Sequence, residues 1–124
     1  MLPGYACNGC HAETNAAAGE TEAPIFALSG TVYPTAHEPD GCVGSGAQGA
    51  EIEVVSATGK RFVAIANRVG NFQFESNDIE YPITASVRFQ GRVRWMIEPQ
   101  LDFDCNHCHS SAGAEGASGR IRLP

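Results

Sequence analysis

Two short stretches carry most of the reactive side chains: "ACNGCHAE" near the N-terminus and "DFDCNHCHSS" near the C-terminus. Each holds two cysteines three residues apart with a histidine directly after the second: Cys7, Cys10 and His11, then Cys105, Cys108 and His109. On a single helical turn, two thiols at that spacing fall on one side, and the following imidazole sits beneath them. C-x-x-C-H is the attachment sequence of c-type haem. Each thiol adds to one porphyrin vinyl group, and the histidine becomes the proximal ligand of the iron. The expectation is haem c, two per chain, with Cys7, Cys10, Cys105 and Cys108 binding the porphyrins and His11 and His109 binding the irons.

Other chemistries of the same residues make weaker sense of the pattern. Two C-x-x-C pairs can close a zinc tetrahedron of four thiolates. Such a site has no need of a histidine after each pair, and the gap from His11 to Cys105 far exceeds zinc-ribbon spacing. A redox disulfide of the thioredoxin kind lacks its βαβ surroundings. Five cysteines is an odd number, which leaves Cys42, in "DGCVGSGAQG", as a tucked-in small hydrophobe or an intermolecular partner.

The histidine count adds to the haem expectation. The chain has four histidines, and two irons with two imidazoles each require four. With His11 and His109 assigned, His37 and His107 are left as distal ligands. His107 lies between the cysteines of its own motif and points away from that haem, so it is expected to serve the haem on Cys7 and Cys10. His37, in "PTAHEPDGC", is expected to serve the other. Methionine competes for the distal position: Met1 is terminal, and Met96 alternates with Arg92 and Arg94 onto the side of its strand opposite Trp95. Arg92, Arg94, Arg120 and Arg122 are candidates to pair with haem propionates or acidic neighbours, whereas Glu38 and Asp40 are expected to be solvated.

The elements that must position these groups lie between the motifs. A chain of 124 residues is one domain with appendages. It divides into residues 1–24 (a Cys/His motif, then "AETNAAAGETEAP", without periodicity), residues 25–100 and residues 101–124, where the plan of the first zone recurs. The middle alternates as strands do: "FALSGTV", "AEIEVV", "KRFVAIAN", "NFQFE", "ITASVRF" and "RVRWMI". Thr58-Gly59 and Gln90-Gly91 mark turns, and Val93, Trp95 and Ile97 form the apolar side of the last strand. The fold class is mainly β, an antiparallel β-sandwich flanked by short haem-binding segments at both termini.

A formal net charge of −6, without a Lys/Arg block, excludes a nucleic-acid partner. No apolar run approaches the roughly 20 residues of a membrane helix. "MLPGYAC" lacks the basic and apolar regions of a leader: either the protein is cytoplasmic, or this is the mature form with its leader, a signal peptide, removed. The Gly, Ala, Ser and Thr content and the low lysine count suit the exported form, so the expected location is extracellular, periplasmic or at the cell surface.

The layout "SGTVYP … GAEIEVVSATGK … GNFQFE … YPITASVRFQG" resembles a carboxypeptidase-regulatory-like (transthyretin-like) domain over roughly residues 25–97. That resemblance implies an Ig-like sandwich serving as a structural or adhesive module. Both ends together resemble multihaem c-type cytochromes. "GTVYPTAHEPDGC", the sandwich and "DCNHCHSSAGAEGASGRI" taken together are similar to small exported cytochromes of that architecture, including extracellular filament subunits. The resemblance implies electron transfer without enzymatic turnover, a homopolymer and unidentified redox partner proteins. The alternatives are a zinc-stapled β-sandwich binding module, a haem enzyme with an open iron position, and an adhesive domain with incidental cysteines.

Overall fold

The computed structural model describes residues 2–19, 23–41 and 45–124. Met1 and Cys42 lie outside the described residues. The elements in chain order are α1 (Cys7–Ala18), β1 (Leu28–Tyr33), a 3-10 turn (Ser45–Ala47), β2 (Glu51–Val55), β3 (Arg61–Ile65), β4 (Asn71–Phe74), β5 (Thr84–Phe89), β6 (Arg92–Trp95), the one-turn α2 (Cys105–Cys108) and β7 (Ile121–Arg122). Strands form two sheets, of order β4-β1-β7 and β3-β2-β5-β6. All pairings are antiparallel except β1 with β7.

The six strands expected from alternation are all present. In β2, Ile52 and Val54 are buried while Glu51, Glu53 and Val55 are half-buried, the period-two signature of a sheet with one face on the core. β2 meets β3 through the Thr58-Gly59 turn, where Gly59 takes φ +82°. Gln90 and Gly91, at φ 49° and 77°, join β5 to β6. Both central residues are left-handed, as a tight hairpin between right-twisted strands requires. Leu28, Val32 and Phe72 from one sheet join Ile52, Val54, Ile83 and Val87 from the other side in a single core cluster.

Three features depart from the sequence expectation. The N-terminal motif does not stop at one turn: α1 runs 12 residues and ends on Gly19 at φ +66°. Its second half is mostly exposed, so it shows no apolar stripe, and alanine propensity favours it instead. β7 is only two residues long and pairs in parallel with Val32 and Tyr33. Finally, Val93 and Trp95 stand opposite Arg88 and Ser86, on the outer face of their sheet. Trp95 and Ile97 are 53% and 97% exposed, so that apolar side is not part of the core.

β1 is the strand on which both termini meet. All six of its residues are buried, including Ser29 and Thr31. One face, with Leu28 and Val32, belongs to the core. On the other, Thr31 Oγ1 accepts the Gly4 N–H at 3.1 Å, and Tyr33 lies under the Arg120 guanidinium at 5.0 Å. A strand covered on both faces can bury polar residues only if they find partners. Here the terminal segments provide them.

Candidate functional site

The two Cys/His motifs dock by the same device, the first onto Phe26 just before β1 and the second onto Thr31 within it. The residue after the first cysteine is asparagine in both, and both asparagines are buried, Asn8 at 2% and Asn106 at 3% exposure. Asn8 accepts the Phe26 N–H at 2.8 Å and donates to Phe26 O at 2.9 Å. Asn106 accepts the Thr31 N–H at 2.9 Å and donates to Tyr5 O at 2.9 Å and Thr31 Oγ1 at 3.0 Å. A carboxamide carries both donor and acceptor on one rigid plane, so it can saturate a backbone edge that no ladder strand covers. Sequence reasoning passed over these residues as spacers. The signal was present in their repetition, CNGCH and CNHCH.

Asp104, immediately before the second motif, holds the two motifs together. The residue capping α1, Ala6, has no side chain that can serve its N–H groups. Instead Asp104 Oδ2 accepts the N–H of Asn8 at 2.8 Å and of Gly9 at 3.4 Å. A carboxylate there satisfies orphan donors and meets the positive end of the helix. Burial pushes this carboxyl up from its ordinary value, while the backbone N–H groups of Gly9, Asn8 and Cys7 pull it down. Gly30 of β1 allows the second motif to sit close: a Cβ at that position would lie 2.7 Å from Phe72 Cζ and 2.9 Å from Cys105 Cβ.

Arg120 fastens the remaining pieces. Its side chain is fully buried. Nη1 donates to Gly4 O at 3.0 Å, Nε donates to Glu38 O at 2.9 Å, and Nη2 pairs with Asp40. Asp40 is therefore an ion-pair partner rather than a purely solvated group. The His37 loop, the N-terminus and the C-terminal segment are joined through one guanidinium.

Cys7, Cys10, Cys105 and Cys108 are free thiols. Burial raises the pKa of Cys7 and Cys108, and it pushes Cys105 up to about 12. Burial thus favours the thiol form of Cys7, Cys105 and Cys108, and a bare metal ion would have to displace those three protons against that desolvation. Among the described residues, one group of at least three potential ligands has all its ligand atoms within 4.8 Å of one another: Asp102, His107 and Cys108. It takes nothing from the first motif, so the four thiols are not gathered into one tetrahedron.

All four imidazoles share one arrangement. His11 Nδ1 contacts Pro24 O. His109 Nδ1 lies 2.9 Å from Gly119 O, His37 Nδ1 lies 2.8 Å from Ser111 O, and His107 Nδ1 lies 2.7 Å from Asp102 Oδ2. Carbonyl and carboxylate oxygens only accept, so Nδ1 carries a proton in each ring, and the Asp102 carboxylate also raises the pKa of His107. A metal-bound histidine holds its other ring nitrogen in the same way, donating to a carbonyl or carboxylate.

The surroundings of the two motifs differ. Cys105, Cys108 and His109 line a cavity of about 390 Å³ whose other walls include Leu28, Val54, Ile83 and Met96, with Arg94 and Arg122 among its cations. Its size and apolar lining suit an organic cofactor. The first motif lies at the surface: Cys10 is exposed, His11 packs 5.8 Å from the Phe26 ring, and Leu2, Tyr5 and Ile25 are exposed apolar residues. His37 and His107 are both exposed, and neither lines the cavity.

Comparison with family models, with curated proteins and with solved structures finds no match to this chain. No helix among the described residues is long and apolar enough to cross a membrane.

Proposed function

We propose that the protein is a diheme c-type cytochrome, an electron carrier rather than an enzyme, built on a carboxypeptidase-regulatory-like β-sandwich. The observation that carries this reading is the shared state of the imidazoles. Each C-x-x-C-H histidine donates from Nδ1 to a backbone carbonyl and directly follows two cysteines that form no disulfide. Haem c would be held by Cys7, Cys10 and His11 at one end and by Cys105, Cys108 and His109 at the other. It would supply a one-electron ferric/ferrous couple at each site. The chain's own residues do the rest. Asn8 ties the first motif to Phe26, Asn106 ties the second to Thr31 of β1, Asp104 ties the two motifs to each other, and the cavity sets a largely apolar wall beside Cys105.

His107 is the candidate distal ligand for the first iron, and His37 is a further exposed imidazole, tied through Nδ1 to Ser111 O. Both face outward, which suits ligation of an iron in a neighbouring copy. A head-to-tail contact of that kind does not close on itself and gives a polymer. An extracellular filament subunit, exported through a leader, is the setting proposed. A zinc-stapled binding module is the alternative.

Attachment tests the reading. Expressed with a haem-attachment system, the wild-type chain carries two haems, the Cys7→Ser/Cys10→Ser variant one, and the Cys105→Ser/Cys108→Ser variant one. A wild-type chain that purifies with stoichiometric zinc and no haem establishes the alternative.

A further inference from the structure

The cavity beside the second motif holds a second iron donor that the histidine count does not include. On β6, Arg94 stands opposite Val87, a core residue. The Met96 N–H then donates to Ala85 O at 2.8 Å, which carries the pairing past the end of the strand. Alternation places Arg94 and Met96 together on the face of Val87, and both line the cavity with Cys105, Cys108 and His109, as do Trp95 and Ile97.

The donor chemistry of the lining is selective. Among the described residues of the cavity wall, His109 is the one imidazole and Met96 the one thioether. The carboxylates there, such as Glu98 and Glu115, are hard oxygen donors, less suited than sulfur or imidazole to a haem iron that cycles through the ferrous state. His37 is tied through Nδ1 to Ser111 O and is not among the residues of the cavity wall. His107 is fixed on Asp102, outside the wall.

On the footing of the haem reading, we propose that Met96 Sδ is the distal ligand of the iron carried by Cys105, Cys108 and His109. The chain then holds two unlike centres, a bis-histidine haem at the first motif and a His/Met haem in the cavity. Methionine ligation raises the potential relative to a second histidine. Electrons entering at the exposed first motif settle on the second.

The test uses the intact holoprotein. Ferric wild-type protein is expected to show the weak far-red sulfur-to-iron charge-transfer band at the intensity of one haem in two, together with two separated reduction steps. Met96→Leu, a volume-conserving change, is expected to keep two haems, lose the band and lower the upper step. Met96→His is expected to give two low-potential steps with no band, and His37→Ala to leave the band intact. Two attached haems with no band in the wild type, or a band that survives in Met96→Leu, overturns the proposal while leaving the cytochrome reading in place. A wild-type chain without haem overturns both, and the haem count alone separates that case.

Discussion

Replacing Asn106 by alanine removes the clamp of the second motif without touching a thiol or an imidazole. The side chain is 3% exposed and makes three hydrogen bonds of 2.9–3.0 Å, one accepted from Thr31 N–H and two donated to Tyr5 O and Thr31 Oγ1. A net hydrogen bond contributes about 1 kcal/mol, and a buried group left without a partner costs about 1–3 kcal/mol. Thr31 Oγ1 keeps its bond to Asn71 Oδ1 at 2.7 Å, so the main loss falls on the Thr31 N–H and the Tyr5 carbonyl. The expected cost is about 3 kcal/mol, a large share of a typical domain stability of about 5–15 kcal/mol. For a chain of 124 residues that corresponds to a fall in Tm of about 10 °C. Urea unfolding of Asn106→Ala beside His107→Ala measures it. His107 neighbours Asn106 but is exposed, with a surface contact to Asp102, so its loss leaves Tm nearly unchanged. An Asn106→Ala variant within about 1 kcal/mol of wild type would refute the assignment of a clamp to this side chain.

Gly30→Ala is expected to destabilise by about 1–3 kcal/mol, because its Cβ would press on Phe72 and on Cys105 at the seat of the second motif; denaturant midpoints check it. The pH response of the Lys60–Asp78 pair has a definite sign. Lys60 Nζ donates to Asp78 Oδ2 at 2.8 Å, and this bond, reinforced by the charge, holds the carboxyl below its usual 3.8. Its contribution to stability is present above the unfolded value and disappears as pH falls through the lower folded value. An NMR titration is expected to show the Asp78 midpoint rise in Lys60→Ala; an unchanged midpoint contradicts the pairing.

The sheets were legible in the sequence because their apolar residues alternate and their hairpins carry turn residues. Glu51-Ile52-Glu53-Val54 places itself on a half-covered strand, and Thr58-Gly59 and Gln90-Gly91 close the turns where the spacing puts them. α1 was not legible past its first turn because an exposed alanine-rich helix has no apolar period to detect. The two-residue β7 carries too few side chains to alternate. Alternation put Val93, Trp95 and Ile97 on one apolar side of their strand, and only the register of β6 on β5 assigns that side to the outer face.

Within the candidate site, the thiols and imidazoles were readable from type and spacing alone. Their supports were not. Asp104, Arg120 and Gly30 act on residues far away in the chain, as in the contact of Asp104 with Asn8, and only the meeting of both termini on β1 gives them a role. The cavity is likewise a property of the two sheets together. The outward placement of His37 and His107 was also hidden, since a count of ligands carries no direction.

An absorption spectrum combined with the intact mass of protein made alongside a haem-attachment system tests the central claim most directly. Two covalently bound haems per chain, with the sharp α and β bands of a low-spin ferrous c-type centre on reduction, are the expected result. A colourless chain whose mass is that of the polypeptide alone would contradict it.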